Sequence, residues 1–268
     1  ISVTGYWIGE LANAGGTTYA WNGQFGQLDY HTQGYHDNLN MGPSPQLGST
    51  NSADVYPSEN THFRNINIDN IIIMPPNFIQ GTSAAVAPID IEYAQRVIDY
   101  VSDESESGGQ QSQAIVYIYE HWQEASIYPL NPAQWVNYHE VTQGSYHQWF
   151  VNYQNALVAT RPNIDFRMIP VGPIIADILQ NTSLFASGLS FTDLYEDEAP
   201  HGEPNVYFLA GLIAYQAMYG QMVNNNYLPP INSINGVSPL IANDFVALNN
   251  FVWQRLHYYN ANGVRIWL

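Results

Sequence analysis

The chain has 268 residues, of which 46% are hydrophobic, and this is enough for one well-buried domain. Asp and Glu number 23 against 6 Lys and Arg, and the resulting net charge of −17 excludes nucleic acid and anionic membranes as expected partners. Because the chain contains no cysteine, disulfides, thiolate metal ligands and cysteine nucleophiles are excluded as well.

The spacing of apolar residues predicts strands and helices that alternate along the chain. In chain order, the pattern predicts a helix over 7–14, strands over 17–21 and 68–74, a helix over 91–101, a strand over 114–119, a helix over 133–160 broken near Gly144, a strand over 166–171, and helices over 205–219 and 244–259. We expect the Ile-rich strand 68–74 to be buried on both faces. Short apolar strands separated by helices predict a parallel sheet with helices on both faces. In such sheets functional groups collect at the carboxyl ends of the strands.

The organisation of the chain indicates a single domain over 1–268, because its polar loops, 36–60 and 102–113, are too short to be linkers. No run approaches 18 apolar residues, so no transmembrane helix is expected. The sequence opens without a Met or a signal peptide, and we interpret it as a processed or truncated product. The lack of cysteine fits a secreted or periplasmic bacterial protein that relies on its core.

The strongest candidate for chemistry is the acidic segment 194–202, which contains His201 and precedes a helix that Pro204 predicts. A hydroxyl nucleophile needs a base, and an imidazole base needs a carboxylate on its other nitrogen. Asp197 and Glu198 lie four and three positions before His201, and either can supply that carboxylate. The alternative is an acidic loop with an exposed histidine.

A second candidate is the run Glu120, His121 and Trp122, which follows a predicted strand. These residues are expected to line a substrate pocket, with Trp122 offering its ring to a sugar. The chain has 20 Tyr and 7 Trp, a composition typical of carbohydrate-handling proteins. The alternative is a cluster that packs the end of the strand.

The segment 194–202 and its helix resemble the last block of the SGNH/GDSL hydrolases, a superfamily of serine esterases, in which Asp-x-x-His precedes a helix. This chain departs from that block, because Glu198 stands three residues before His201 and Asp197 stands four before. The spacing of the block favours Glu198 as the orienting carboxylate, with Asp197 as the alternative. Asn77, just after strand 68–74, is similar to the family's oxyanion-binding asparagine, although Pro75 replaces the usual glycine.

The family's glycine block and nucleophile block match this sequence less closely. Gly26, with Gly23 as an alternative, is similar to the family glycine whose backbone N–H binds the oxyanion. Ser2, in the run Ser-Val-Thr-Gly, resembles the end of the nucleophile block. Three alternatives stay open: Ser2 is the nucleophile, the serine lies upstream of Ile1, or the protein has no nucleophile. The β-prone segment 263–268 is a candidate to replace a missing first strand.

The resemblance implies a three-layer α/β/α sandwich with a mostly parallel, flavodoxin-like sheet. It also implies hydrolysis of carboxylic esters, with acetylated carbohydrates or similar small acyl esters as the expected substrates, without a cofactor or a metal. His201 would be the base for a serine, with Gly26 and Asn77 binding the oxyanion. The oligomeric state is open. Two other functions are kept: a binding or structural protein on the same fold, and a glycosidase or lyase that uses Glu120 and Glu198.

Overall fold

A computed structural model describes residues 2–17, 19–21, 48–49, 69–75, 84–102, 114–124, 135–183, 188–197, 201–231 and 236–268 of the chain. The strands among them are β1 (Ala20–Trp21), β2 (Gly48–Ser49), β3 (Asn70–Ile73), β4 (Ile115–Glu120) and β5 (Phe166–Pro170). The α-helices are α1 (Ser2–Ala14), α2 (Pro88–Ser102), α3 (Trp135–Val141), α4 (His147–Thr160), α5 (Val171–Asn181), α6 (Pro204–Tyr219), α7 (Pro239–Asn243) and α8 (Phe245–Ala261). A π-helix (Thr142–Tyr146) joins α3 to α4, and a 3₁₀ turn (Phe191–Asp193) precedes α6.

The main sheet has the order β3-β4-β5, and both strand pairs are parallel. The register pairs Glu120, the last residue of β4, with Pro170, the last residue of β5. The carboxyl ends of these strands therefore meet at one edge of the sheet. The strands β1 and β2 form a separate antiparallel pair.

Helices cover both faces of the sheet. The Tyr117 hydroxyl donates a hydrogen bond to the main-chain oxygen of Met218 in α6, whereas Glu120 bonds His147 at the start of α4. Side chains at odd and even positions of a strand point to opposite faces, and Tyr117 and Glu120 are one of each. Helices α6 and α4 therefore lie on opposite sides of β4. This arrangement confirms the predicted α/β fold with a parallel sheet between helical layers. No helix in the described ranges is long and apolar enough to cross a membrane.

The structure corrects two sequence predictions about the sheet. Strand β3 is not buried on both faces, because Asn70 is exposed and only Ile73 is fully buried. Among the described strands β3 lies at the edge of the sheet, where it has a neighbour on one side only. The segment 263–268 forms no strand, although the main-chain oxygen of Arg265 accepts a hydrogen bond from Met168 in β5.

Helix α5 was not predicted from the sequence. It begins directly after β5, and its first residues, Val171, Gly172 and Pro173, look like a turn. Pro173 is tolerated because the first helical turn needs no N–H donor at that position.

The predicted break near Gly144 is confirmed, since this glycine has a non-helical backbone (φ −94°, ψ −110°) within the π-helix.

Candidate functional site

The segment before α6 forms a closed turn that carries His201. The Glu196 N–H donates to the main-chain oxygen of His201 at 3.1 Å, and the Glu203 N–H donates to that of Leu194 at 2.7 Å. Helix α6 begins at Pro204, directly after this turn. These two bonds hold His201 next to the start of a buried helix.

Asp197 is the described carboxylate that binds His201. The imidazole Nδ1 lies 2.8 Å from Asp197 Oδ2, and the two side chains are 64% and 49% exposed. This hydrogen bond raises the pKa of His201 above its usual value, with a further contribution from the negative charges of Asp197 and Glu196. With Nδ1 donating to the carboxylate, Nε2 is the nitrogen that can accept a proton. Glu198, the other predicted partner, lies outside the described residues.

The turn lies against the carboxyl end of β4, where it meets Trp122. The centroid of the Trp122 ring is 6.2 Å from that of Tyr195 and 5.8 Å from that of Tyr207. Tyr195 also forms an isolated antiparallel bridge with Gly202, the residue after His201. The turn that contains His201 therefore packs on Trp122, two residues beyond the last residue of β4.

Helix α1 packs along α6 in the same direction. Near its start, Trp7 contacts Phe208 with ring centroids 5.1 Å apart, and beyond its end Gly15 approaches Tyr215. Both helices therefore begin at the same end of the packed pair. Ser2, the first residue of α1, lies at the end where His201 precedes α6.

A second contact connects the start of α1 to the sheet. The Thr4 side chain hydrogen-bonds Tyr119, the second-last residue of β4, and Thr4 is 2% exposed.

Gly26 and Asn77, the predicted oxyanion groups, lie outside the described residues, and so does Gly23. The side chain of Ser2 is not described either, so the roles of Ser2, Gly26 and Asn77 stay predictions.

His121 joins the ends of two strands. Its Nε2 lies 3.3 Å from the main-chain oxygen of Pro75, which follows β3, and its Nδ1 lies 2.7 Å from the Tyr146 hydroxyl in the π-helix. Burial lowers the pKa of His121 to about 4, so the ring is neutral at pH 7. These contacts connect the π-helix to the edge of the sheet where the carboxyl ends of the strands meet.

Glu120 and His147 form a buried pair that sequence reasoning did not find. His147 Nδ1 lies 2.9 and 3.0 Å from the two Glu120 carboxylate oxygens, and the side chains are 13% and 0% exposed. Burial raises the pKa of Glu120, and the negative charge of Glu120 raises the pKa of His147 against the opposing effect of burial. The two residues stand 27 positions apart, so no local pattern signals the pair.

A second polar group lies next to this pair. Asp177 in α5 accepts hydrogen bonds from Gln143 at 2.6 Å, from Arg255 at 2.7 Å and from the Tyr259 hydroxyl at 3.0 Å. The Tyr259 ring also contacts His147, with centroids 5.1 Å apart. These bonds connect α5 and α8 to the π-helix.

The predicted substrate-binding residues at the end of β4 are all buried. Glu120, His121 and Trp122 are 0%, 3% and 5% exposed. They therefore present almost no surface to a sugar, and their role in substrate binding stays a prediction that this burial does not support. The carboxylate of Glu120 is also occupied by His147, which weakens the glycosidase alternative.

The buried pair makes a prediction for stability against pH. Since the pKa values of Glu120 and His147 are both raised, the folded protein binds more protons than the unfolded chain from about pH 4.5 upward, until His147 has lost its proton. As far as these two groups determine it, the unfolding free energy is therefore highest below this window and falls as the pH rises through it. We expect Glu120→Gln to reduce the fall in unfolding free energy between about pH 5 and 8.

Urea unfolding at several pH values measures this effect. The matched control is Glu140→Gln, which changes an exposed glutamate on α3 and should leave the pH dependence as in the native protein. An unchanged slope in Glu120→Gln would show that the pair does not titrate as described.

Comparisons with known proteins give little beyond the fold. No protein-family model matches the chain, and no curated protein matches it. One similar solved structure is that of a DUF4886 family protein from Bacteroides uniformis, with 15% sequence identity and a TM-score of 0.56. The similarity covers 94% of this chain and 89% of that chain. At this identity it supports the α/β fold alone.

Proposed function

We propose that the protein is a serine-type hydrolase of carboxylic esters, in which His201 is the general base. The observation that carries the proposal is the His201–Asp197 pair, in the turn just before α6. Tyr195 and Gly202 of this turn pack on Trp122, beyond the end of β4. Asp197 binds Nδ1 and leaves Nε2 for the proton of a nucleophile, which is the arrangement that serine hydrolysis requires. The location agrees with the rule that sites form at the carboxyl ends of parallel strands.

The nucleophile in this proposal is Ser2. Its place at the start of α1 supports the assignment, because α1 and α6 begin at the same end. The Ser2 hydroxyl oxygen attacks the ester carbonyl carbon while its proton passes to His201 Nε2. The protonated imidazole then gives this proton to the departing alcohol. Water attacks the acyl-serine in the same way and releases the acid.

The oxyanion would be held by the Gly26 N–H and the Asn77 amide, as the family resemblance implies. The proposed substrates are acetylated carbohydrates or similar small acyl esters. The proposal includes secretion or export to the periplasm, which the amino-acid composition suggests.

Labelling with a fluorophosphonate tests the proposal directly. We expect covalent labelling of Ser2 in the native protein, located by peptide mass spectrometry, together with hydrolysis of p-nitrophenyl acetate. Ser2→Ala should lose both signals, while Ser190→Ala, a change at an exposed serine, should retain them. An active preparation in which no serine is labelled would argue against a serine nucleophile.

The acid side of the pH–rate profile reports on Asp197. Because Asp197 raises the pKa of His201, the neutral imidazole that acts as base is lost as the pH falls through this raised value. We expect Asp197→Asn to lower the pKa of His201 and to move the acid limb of kcat/KM to lower pH. The neutral amide also orients the ring less well, so the maximum rate should fall. An acid limb at the same pH in Asp197→Asn would show that another group titrates.

A further inference from the structure

We propose that Trp122 is a positioning residue for His201, a role that rests on the proposed ester hydrolysis. Its indole ring holds the turn at Gly202 against the end of β4, so that the imidazole one residue earlier stays at the edge of the sheet. This role replaces the predicted stacking on a sugar, because Trp122 is only 5% exposed.

The contact with Gly202 is the first support. A Cβ atom at Gly202 would lie 3.2 Å from Cζ2 of Trp122 and 3.2 Å from Cε2 of Tyr207, and it would overlap Cγ1 of Val206. The main chain of the turn therefore packs directly on the indole, with no room for a side chain between them. A ring at this position fixes how closely the turn approaches β4.

Two tyrosines also contact the turn at Gly202. The Gly202 N–H donates to the Tyr207 hydroxyl at 3.3 Å, and Tyr195 pairs with Gly202 across the turn. The rings of both tyrosines contact the Trp122 ring. The residue that follows His201 is thus held from three directions, whereas the His201 side chain itself is 64% exposed and is held by Asp197.

The indole N–H gives independent support. Trp122 Nε1 is buried and has no hydrogen-bond partner among the described residues. With no described partner for this N–H, the contribution of the side chain among the described residues is the packing of its ring. The indole ring is larger than a phenyl ring, and its Cζ2 atom makes the contact with the turn at Gly202.

Trp122→Phe tests the inference. The variant keeps an aromatic ring and removes the unpaired N–H, which offsets part of the packing lost with the smaller ring, so its unfolding midpoint should fall much less than that of Trp7→Ala. We expect kcat for p-nitrophenyl acetate to fall by about 10- to 100-fold with little change in KM, because the base is displaced while substrate binding is kept. The matched control is Trp253→Phe, at a half-buried tryptophan on α8, which should keep its kcat.

A double-mutant cycle separates positioning from a general structural effect. In the His201→Ala background, Trp122→Phe should cause no further loss, because there is no base left to position. Gly202→Ala gives a second test from the opposite side of the contact, with the same expected loss of kcat, if Trp122→Phe fails to fold.

The outcomes are distinguishable. If the native protein hydrolyses no ester, the proposed function and this inference both fail. If the native protein is active but Trp122→Phe keeps its kcat, or loses the same factor with and without His201, the inference alone is overturned.

Discussion

We expect His201→Ala to lower kcat/KM for p-nitrophenyl acetate by about 10²- to 10⁴-fold, the usual contribution of a general base. The side chain is 64% exposed, so its removal should leave the core unchanged. The expected result is therefore a folded protein with an unchanged unfolding midpoint and almost no hydrolysis. Steady-state kinetics and circular dichroism on the same preparation measure the two properties.

The matched control is His257→Ala, which removes another exposed histidine, on α8. His257 contacts the rings of Trp253 and Trp267 and belongs to no part of the proposed site. Its loss should leave kcat/KM as in the native protein. Equal activity in His201→Ala and His257→Ala would remove the general base from the proposed mechanism.

We expect Trp7→Ala to be the most destabilising of the substitutions considered, by about 3–5 kcal/mol. Trp7 is fully buried between α1 and α6, where its ring contacts Phe208 at 5.1 Å. Its Cβ atom lies so close to Gly211 that no side chain fits between the helices. Removal of the indole leaves a cavity at this contact, and the unfolding midpoint should fall by roughly 6–20 °C.

The same substitution should affect hydrolysis beyond the loss of folded protein. Helix α1 carries Ser2, and α6 follows His201, so looser packing between the two helices changes the distance between the proposed nucleophile and the proposed base. We expect kcat per folded molecule to fall. Trp253→Ala, at a half-buried position on α8, is the control and should have a smaller effect on the midpoint and none on kcat. A native-like midpoint in Trp7→Ala would contradict the described packing of α1 on α6.

The regular elements could be predicted because their signals are local. Helix α2 follows the helical period in the sequence, and β4, β5 and α6 stand out as continuous apolar runs. Their alternation also predicts parallel pairing, since parallel strands need a long crossover between them. Helix α5 escaped prediction because Gly172 and Pro173 look like a turn when read without their neighbours.

The candidate base could be predicted for a similar reason. His201 and Asp197 are four residues apart in one turn, so the sequence by itself determines that a carboxylate is within reach of the imidazole. Spacing favoured Glu198 over Asp197, but the direction of a side chain in an irregular turn depends on the backbone path. The described pair is with Asp197.

Only the tertiary structure decided which distant residues meet. The Glu120–His147 pair spans 27 positions and the Asp177–Arg255 pair spans 78, and neither has a signal in the sequence. Trp122 is buried against the turn at Gly202 rather than open to a substrate. Periodicity encodes which face of an element is apolar, but partners across the core are chosen by how whole elements pack. The sequence by itself determined most of the helices and strands and the local His201–Asp197 pair. The packing of α6, α4 and α8 around β4 decided which residues surround that pair and the end of β4.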